Sequence, residues 1–391
     1  MAEPMRVLIV CDYSLGYLGG AQIALMRQAQ ALAAAGHRVS LLAPDASSAG
    51  LDAAVEAVEP PPSRTLPVLD LPLLRASPGL AGFAGGVLDD RRIDAVLLHS
   101  EFGLAATVSA EAHRRRVPVL HTVHTFFWTA PWAAAPFAPA VRAFHRAVTG
   151  LPSPRVKLAP RPLDSALRQM TLAVARTADV VVSPSAHQAE RLRQAGLPGV
   201  EAVSNVTEPV DEPAPMPPLD RLRIAWLGRF ASEKRLDAAL GGVASASPAL
   251  PLSLRIAGGT PNARQQRLGG DRAEWLGRLT QAGAAELVDS SHALLLTSNG
   301  FDNQPMVVLE AFSRGRPVIL VDRVLAKEFG DAAVLCDSPD PDGIARTIER
   351  IAADPRILER ATAAAIELSR GASGAVHATK IAGLVEGVRK G

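Results

Sequence analysis

TSNGFDNQPMVVLEAFSRGRPVILV, Thr297–Val321, sets the reading of the whole chain. An apolar strand ends in a polar turn, a helix follows, and a Gly-Arg-Pro turn leads into a second buried strand. Asn303-Gln304-Pro305 reads as the start of that helix, with Pro305 at the first helical position and Asn303 as a cap, and Asn303, Gln304, Pro305 and Met306 are candidate donor-binding residues. Amides at a helix start have no partner within the helix and favour an anion. Asp302 stands just before this element, and Glu310 falls about one turn inside it. One anion pocket flanked by two carboxylates suits a sugar attached to a nucleoside diphosphate.

The same strand–helix rhythm extends outward in both directions. RVLIVCDY (Arg6–Tyr13) is a continuous apolar run of the kind found in parallel strands buried on both faces. AQIALMRQAQALAAAG closes as a helix at Gly36, and RVSLLAP is the next strand. IDAVLLHS, VPVLHTVH, ADVVVSPS and VEAVSN continue the series. TEPVDEPAPMPPLD (Thr207–Asp220) then supplies five prolines and no apolar period, which marks an interdomain linker. RLRIAWLGR opens a second alternating series that runs through LSLRIAG, AEWLG, SHALLLTS, RPVILVD and DAAVLCD. The expected fold class is therefore α/β, with domains over 1–206 and 221–373 joined by a linker over 207–220. Strand–helix alternation of this kind builds doubly wound sheets, which bind ligands at the carboxyl ends of their strands. The Pro-rich segment EPPPSRTLPVLDLP (Glu59–Pro72) reads as surface loop.

Composition narrows the function classes. A chain of 391 residues, 48% hydrophobic and 20% charged, describes well-buried globular domains. The net charge of +2 gives no general case for nucleic-acid binding. Cys11 and Cys336 lie far apart in apolar runs and read as two buried thiols, not a disulfide or a metal pair. MAEPMRVLIV enters a strand directly, without a basic leader or cleavage site, so a cytoplasmic protein is expected. The longest stretch without Asp, Glu, Lys or Arg, Val117–Val141, carries four prolines and two histidines and is a poor membrane span.

Further candidates lie at the ends of other strands. Arg229 and Lys234 in WLGRFASEKRLDAAL would set two cations beside a helix N-terminus, with Ser232 as its cap, where a diphosphate leaving group gains charge. Gly19 and Gly20 follow the first strand and let the backbone approach a ligand; G-x-G-x-x-G is absent, so this is no dinucleotide fingerprint. His124 ends VPVLHTVH and could bond a sugar hydroxyl, and His99 and Glu101 end the strand before it.

The acids Asp302 and Glu310, eight positions apart, resemble the paired-acid signature of retaining glycosyltransferases of the GT-B fold, family 4. That resemblance implies two Rossmann-like domains facing across a cleft, with the closing helix over 374–391 packed back on the first domain. It also implies that Asp302 meets the donor sugar, Glu310 the ribose, and Arg229 with Lys234 the diphosphate. Gly19 and Gly20 would face donor phosphate and acceptor, His124 with Thr122 would match a Thr-x-His, and Gly258 with Gly259 would pass near the base. Ser183, Ser185 and Asn205 match family positions that support the fold. The activity implied is front-face transfer from a nucleotide-diphosphate sugar, UDP-linked by the family's habit, with no metal and no cofactor.

The chain departs from the family at four places. Asp302 stands where Glu is usual, and Gln22 where Glu is frequent. Val321 continues as DRVLAKEFGD in place of a Gly-Gly segment and a Glu, so donor contacts from there do not carry over. The run HTFFWTAPWAAAPFAPAVRAFHRAVTG gathers Phe126, Phe127, Trp128, Trp132, Phe137 and Phe144 in a protein only 4% aromatic. With the basic residues up to Arg161 behind it, segment 126–161 reads either as core or as a lip for an apolar or lipid-linked acceptor at the inner membrane face. A sugar-nucleotide epimerase and a non-catalytic nucleotide-sugar-binding protein remain open as alternatives.

Overall fold

The computed structural model describes residues 3–16, 19–66, 71–127, 129–130, 132–208, 210 and 212–390. The chain divides into two units, Met1–Val206 with Gly374–Gly391, and Thr207–Ser373.

The first unit holds β1 (Arg6–Val10), β2 (Arg38–Leu42), β3 (Val55–Val58), β4 (Arg64–Leu66), β5 (Leu71–Leu73), β6 (Ala95–Leu98), β7 (Val119–Thr122), β8 (Val180–Ser183) and β9 (Val200–Ala202). Seven of them form one parallel sheet in the order β3-β2-β1-β6-β7-β8-β9. The continuous apolar run of β1 has its cause here. Val7 and Ile9 pack under helices Gly20–Ala34 and Gly374–Lys390, whereas Leu8 and Val10 face the opposite core with Leu80 and Leu104. Both faces are covered, so no polar face remains.

The second unit holds β10 (Leu222–Leu227), β11 (Leu252–Ala257), β12 (Ala273–Trp275), β13 (Ala293–Leu296), β14 (Val318–Leu320) and β15 (Ala333–Leu335). They form a parallel sheet in the order β12-β11-β10-β13-β14-β15. Ile224 and Trp226 of β10 pack with Leu240 and Ile344 of the covering helices. Cys11 and Cys336 are buried free thiols. Among the described residues no helix is long and apolar enough to cross a membrane.

One local expectation fails. Glu59–Pro72 is not loop throughout, because β4 pairs antiparallel with β5 inside it, and β3 just before it extends the main sheet. These strands are too short for periodicity to reveal. The Pro-rich run Thr207–Asp220, read as the linker, is bonded to the rest of the second unit. The fully buried Arg316 donates to the carbonyls of Ala214 (2.9 Å), Pro215 (3.1 Å) and Asp289 (2.7 Å). His292 donates to the Pro217 carbonyl at 3.1 Å, and the Val210 amide to the Ser313 carbonyl at 3.2 Å. Proline brings no N–H, so side-chain donors from the second unit hold this segment by its carbonyls.

Candidate active site

Each parallel sheet reverses its strand order once, between β1 and β6 and between β10 and β13, and the candidate residues gather at the carboxyl ends of those strands.

In the second unit, Trp226 near the end of β10 donates its indole N–H to Thr297 Oγ1 at 3.0 Å, and Thr297 Oγ1 donates to the Lys234 carbonyl at 2.7 Å. This staple joins the turn after β10 to the turn after β13. It brings Lys234 Nζ to 2.6 and 2.9 Å from the two Asp302 oxygens. The Phe301 ring lies 5.6 Å from the same ammonium, and Ser298 Oγ donates to Asp302 Oδ2. The cation assigned to phosphate and the acid assigned to sugar are thus direct neighbours. Arg229 is exposed and bonds to Glu233 at 3.1 Å, apart from this pair.

Local caps differ from expectation. Lys234 lies in a short 3-10 turn, Ser232–Lys234, whose N-cap is Ala231, so Ser232 caps nothing. The next helix starts only at Leu236, after Arg235 in the left-handed region at φ 52°. The helix carrying Glu310 runs Met306–Ser313, with Pro305 as its N-cap and no side-chain cap. Asn303 lies two places before that N-cap position, and Pro305 stands one place ahead of the first turn. Asn303 is buried and Gln304 and Glu310 are half-buried. Gly258 has φ 125°, and a Cβ there would lie 2.1 Å from the Gly228 carbonyl oxygen, so the close approach of the β10 and β11 ends demands glycine.

Asp322 escaped the sequence reading. Its Oδ2 accepts the Gly300 amide at 2.6 Å, and its Oδ1 accepts the Val324 amide at 2.8 Å. One buried carboxylate thereby caps helix Arg323–Phe329 and ties down the turn that carries Asp302. Asp between a strand and a helix was the signal available.

In the first unit, Gly19 caps helix Gly20–Ala34 through backbone geometry alone, and Gly20 has open space at its Cβ position. Gln22 Nε2 donates to the Ser14 carbonyl at 3.5 Å. Asp12, fully buried after β1, accepts from Ser100 Oγ at 2.7 Å and from the Leu104 amide at 2.7 Å, capping helix Gly103–Arg114. Burial raises its carboxyl above the usual range, against those donors. Tyr13 donates to Glu101 Oε1 at 3.2 Å; burial and then the Asp12 charge push the Glu101 carboxyl up to about 7. His124 and His99 meet at 2.8 Å, Nε2 to Nδ1. Burial lowers His124 to about 4 and His121 to about 3, and holds His99 well below the ordinary histidine value.

The aromatic run divides. Phe126 is in the core and Phe144 packs at the edge of a second cluster, while Phe127 stacks on His187 with centroids 5.6 Å apart. Phe137 is 60% exposed. Trp128 lies outside the described residues, as does the Trp132 side chain. Phe126 and Phe144 therefore belong to interior packing and not to a lip.

The model for Glycosyltransferase Family 4 matches residues 18–211, and that for Glycosyl transferases group 1 matches residues 221–354. The chain belongs to the family 4 glycosyltransferases of the two-domain GT-B fold. No curated protein matches it by sequence. Among solved structures it resembles HepE of Anabaena in complex with UDP, at 16% identity and TM-score 0.69, covering 98% of this chain and 100% of that one. Sucrose-phosphate synthase of Thermosynechococcus elongatus matches at 16% identity and TM-score 0.69, over 99% of both chains. A putative UDP-N-acetylglucosamine 2-epimerase from Listeria monocytogenes matches at 14% identity and TM-score 0.59, over 97% of this chain and 95% of that one.

Proposed function

We propose that this chain is a retaining, metal-independent glycosyltransferase that moves a sugar from a UDP-linked donor to an acceptor hydroxyl. The observation that carries the reading is the Lys234–Asp302 pair at the strand-order reversal of the second unit. A positive charge beside a carboxylate supports this reading, since a diphosphate leaving group and its sugar need both. HepE was crystallised with UDP and with UDP-glucose, which supports uridine as the base.

In this reading Asp302 orients the donor sugar and Glu310 holds the ribose. Lys234, Arg229 and the amides around Asn303, Gln304 and Met306 neutralise the diphosphate, with Pro305 shaping that turn. Gly258 lies near the base, Gly19 and Gly20 admit phosphate and acceptor, and His124 bonds a sugar hydroxyl. The leaving phosphate draws the proton from the acceptor hydroxyl, which attacks from the same face, so configuration is retained. Positive charge from Lys234 and Arg229 supports a reaction without metal. We further propose an apolar or lipid-linked acceptor, met at the cytosolic face of a membrane by segment 126–161, on the strength of exposed Phe137 and the exposed Arg155 and Lys157.

The deciding experiment incubates the protein with a panel of nucleotide sugars, with and without acceptors, and follows released nucleotide and product anomer. Acceptor-dependent release with retained configuration in EDTA supports the proposal. An inverted product refutes retention, a rearranged sugar nucleotide points to an epimerase, and binding without turnover points to a non-catalytic protein. Flotation with anionic vesicles tests the membrane contact, and absence of binding removes it.

A further inference from the structure

The turn that carries Asp302 follows β13 and is anchored from the ends of β10 and β14. At its start, Thr297 Oγ1 accepts the Trp226 indole N–H at 3.0 Å and donates to the Lys234 carbonyl at 2.7 Å. At its end, Asp302 meets Lys234 Nζ at 2.6 and 2.9 Å, and Ser298 Oγ donates to Asp302 Oδ2 within the turn. In its middle the chain bends at Gly300, which is exposed and has φ 69°. Nothing lies within 4 Å of the position a Cβ would take there, so the bend gains no support from packing on that side. Its amide donates to Asp322 Oδ2 at 2.6 Å.

Asp322 is 4% exposed, and its two oxygens serve different segments. Oδ1 accepts the Val324 amide at 2.8 Å and the Leu325 amide at 3.2 Å, which caps helix Arg323–Phe329. That helix is fixed by buried Leu325 and by Phe329, whose ring meets Phe312 edge-on with centroids 5.3 Å apart. Capping is complete with one oxygen. The second oxygen reaches a bend 22 positions away, so a packed helix holds an exposed turn. Lys234 shows what the bend decides. Two consecutive residues of the turn meet its ammonium, Asp302 with a carboxylate and Phe301 with a ring centroid 5.6 Å away. A shift of the bend moves both partners together. Asp302 has one methylene between backbone and carboxyl, so its oxygens follow the turn with little slack.

We propose that Asp322 is a positioning residue: through the Gly300 amide it sets where the turn presents Asp302 to Lys234 and to the donor sugar. The part that concerns the sugar rests on the proposed function, whereas the hold on the Lys234–Asp302 pair does not.

Asp322→Asn separates positioning from capping, because Asn caps a helix as well as Asp does. Its one side-chain oxygen stays with the Val324 and Leu325 amides, and its N–H2 group then faces the Gly300 N–H, donor against donor. Asp322→Ser makes the same cut with a hydroxyl that caps but is too short to serve Gly300 as well. In both variants the Gly300 amide should exchange hydrogen about 10-fold faster or more, read by NMR on the deuterated full chain, while Val324 and Leu325 stay protected. A Lys234→Met, Asp302→Asn cycle in urea should return less than about half the coupling found in the parent chain. In the transfer assay Asp322→Asn should lower kcat by about 10-fold or more and leave the affinity for free UDP unchanged. It should cost little more in an Asp302→Asn background, where no carboxylate is left to place. A role confined to capping would leave the coupling undiminished and the cost equal in both backgrounds, and either result overturns the proposal. So does a Gly300 amide that exchanges no faster. A collapsed coupling in a protein that transfers no sugar would support the hold on the pair and refute the proposed function instead.

Discussion

Lys234→Met keeps most of the side-chain stem and removes its charge, leaving Asp302 without the ammonium 2.6 and 2.9 Å from its oxygens. The two side chains are only 20% and 11% exposed, so the pair is worth more than a surface ion pair. A charge-assisted hydrogen bond in such a place contributes about 1.5–3 kcal/mol. Ser298 still donates to Asp302 in the variant and limits the loss. A double-mutant cycle with Asp302→Asn isolates the pair, and urea unfolding should return a coupling of about 1–3 kcal/mol. In the transfer assay Lys234→Met should lower turnover by about 10- to 100-fold, since its charge meets a phosphate that becomes more negative as the bond breaks. Additive stabilities together with unchanged turnover would refute both uses of the pair.

Three further outcomes follow from the same structure. Glu310→Gln should weaken binding of free nucleoside diphosphate in calorimetry, while Asp302→Asn spares binding and damages transfer; the reverse pattern would exchange their roles. Glu101→Gln tests the carboxyl held up to about 7 against an ordinary value of 4.5. The folded state keeps a proton that the unfolded chain loses, so wild-type stability should fall as pH rises from about 4.5 to about 7. The Gln variant lacks that component and should gain up to about 3 kcal/mol on wild type at pH 8; parallel stability curves would refute the raised carboxyl. Arg316→Met leaves the Ala214, Pro215 and Asp289 carbonyls without their donor. It should cost about 3–5 kcal/mol in denaturant unfolding and open residues 213–218 to proteolysis, and an unchanged cleavage rate there would show that the strap is held elsewhere.

What sequence alone determined is the α/β class with two doubly wound sheets. That signal is local, because a strand covered on both faces must be apolar throughout, as Arg6–Val10 and Ala293–Leu296 are, and its helix must follow within a few residues. The acid at Asp302 and the cation at Lys234 could be singled out from motif spacing. Their 2.6 Å contact could not, since it depends on the Trp226–Thr297 staple between strands some 70 positions apart. Tertiary structure alone decided that Ser232 caps nothing, that a hairpin interrupts Glu59–Pro72, and that Arg316 holds the proline-rich run. It also decided that Asp322 holds the bend at Gly300, although in sequence it stands only as an acid between a strand and a helix. Periodicity reports which face of an element is buried; it carries no record of which polar group, tens or hundreds of residues away, will satisfy a donor or acceptor once water is excluded.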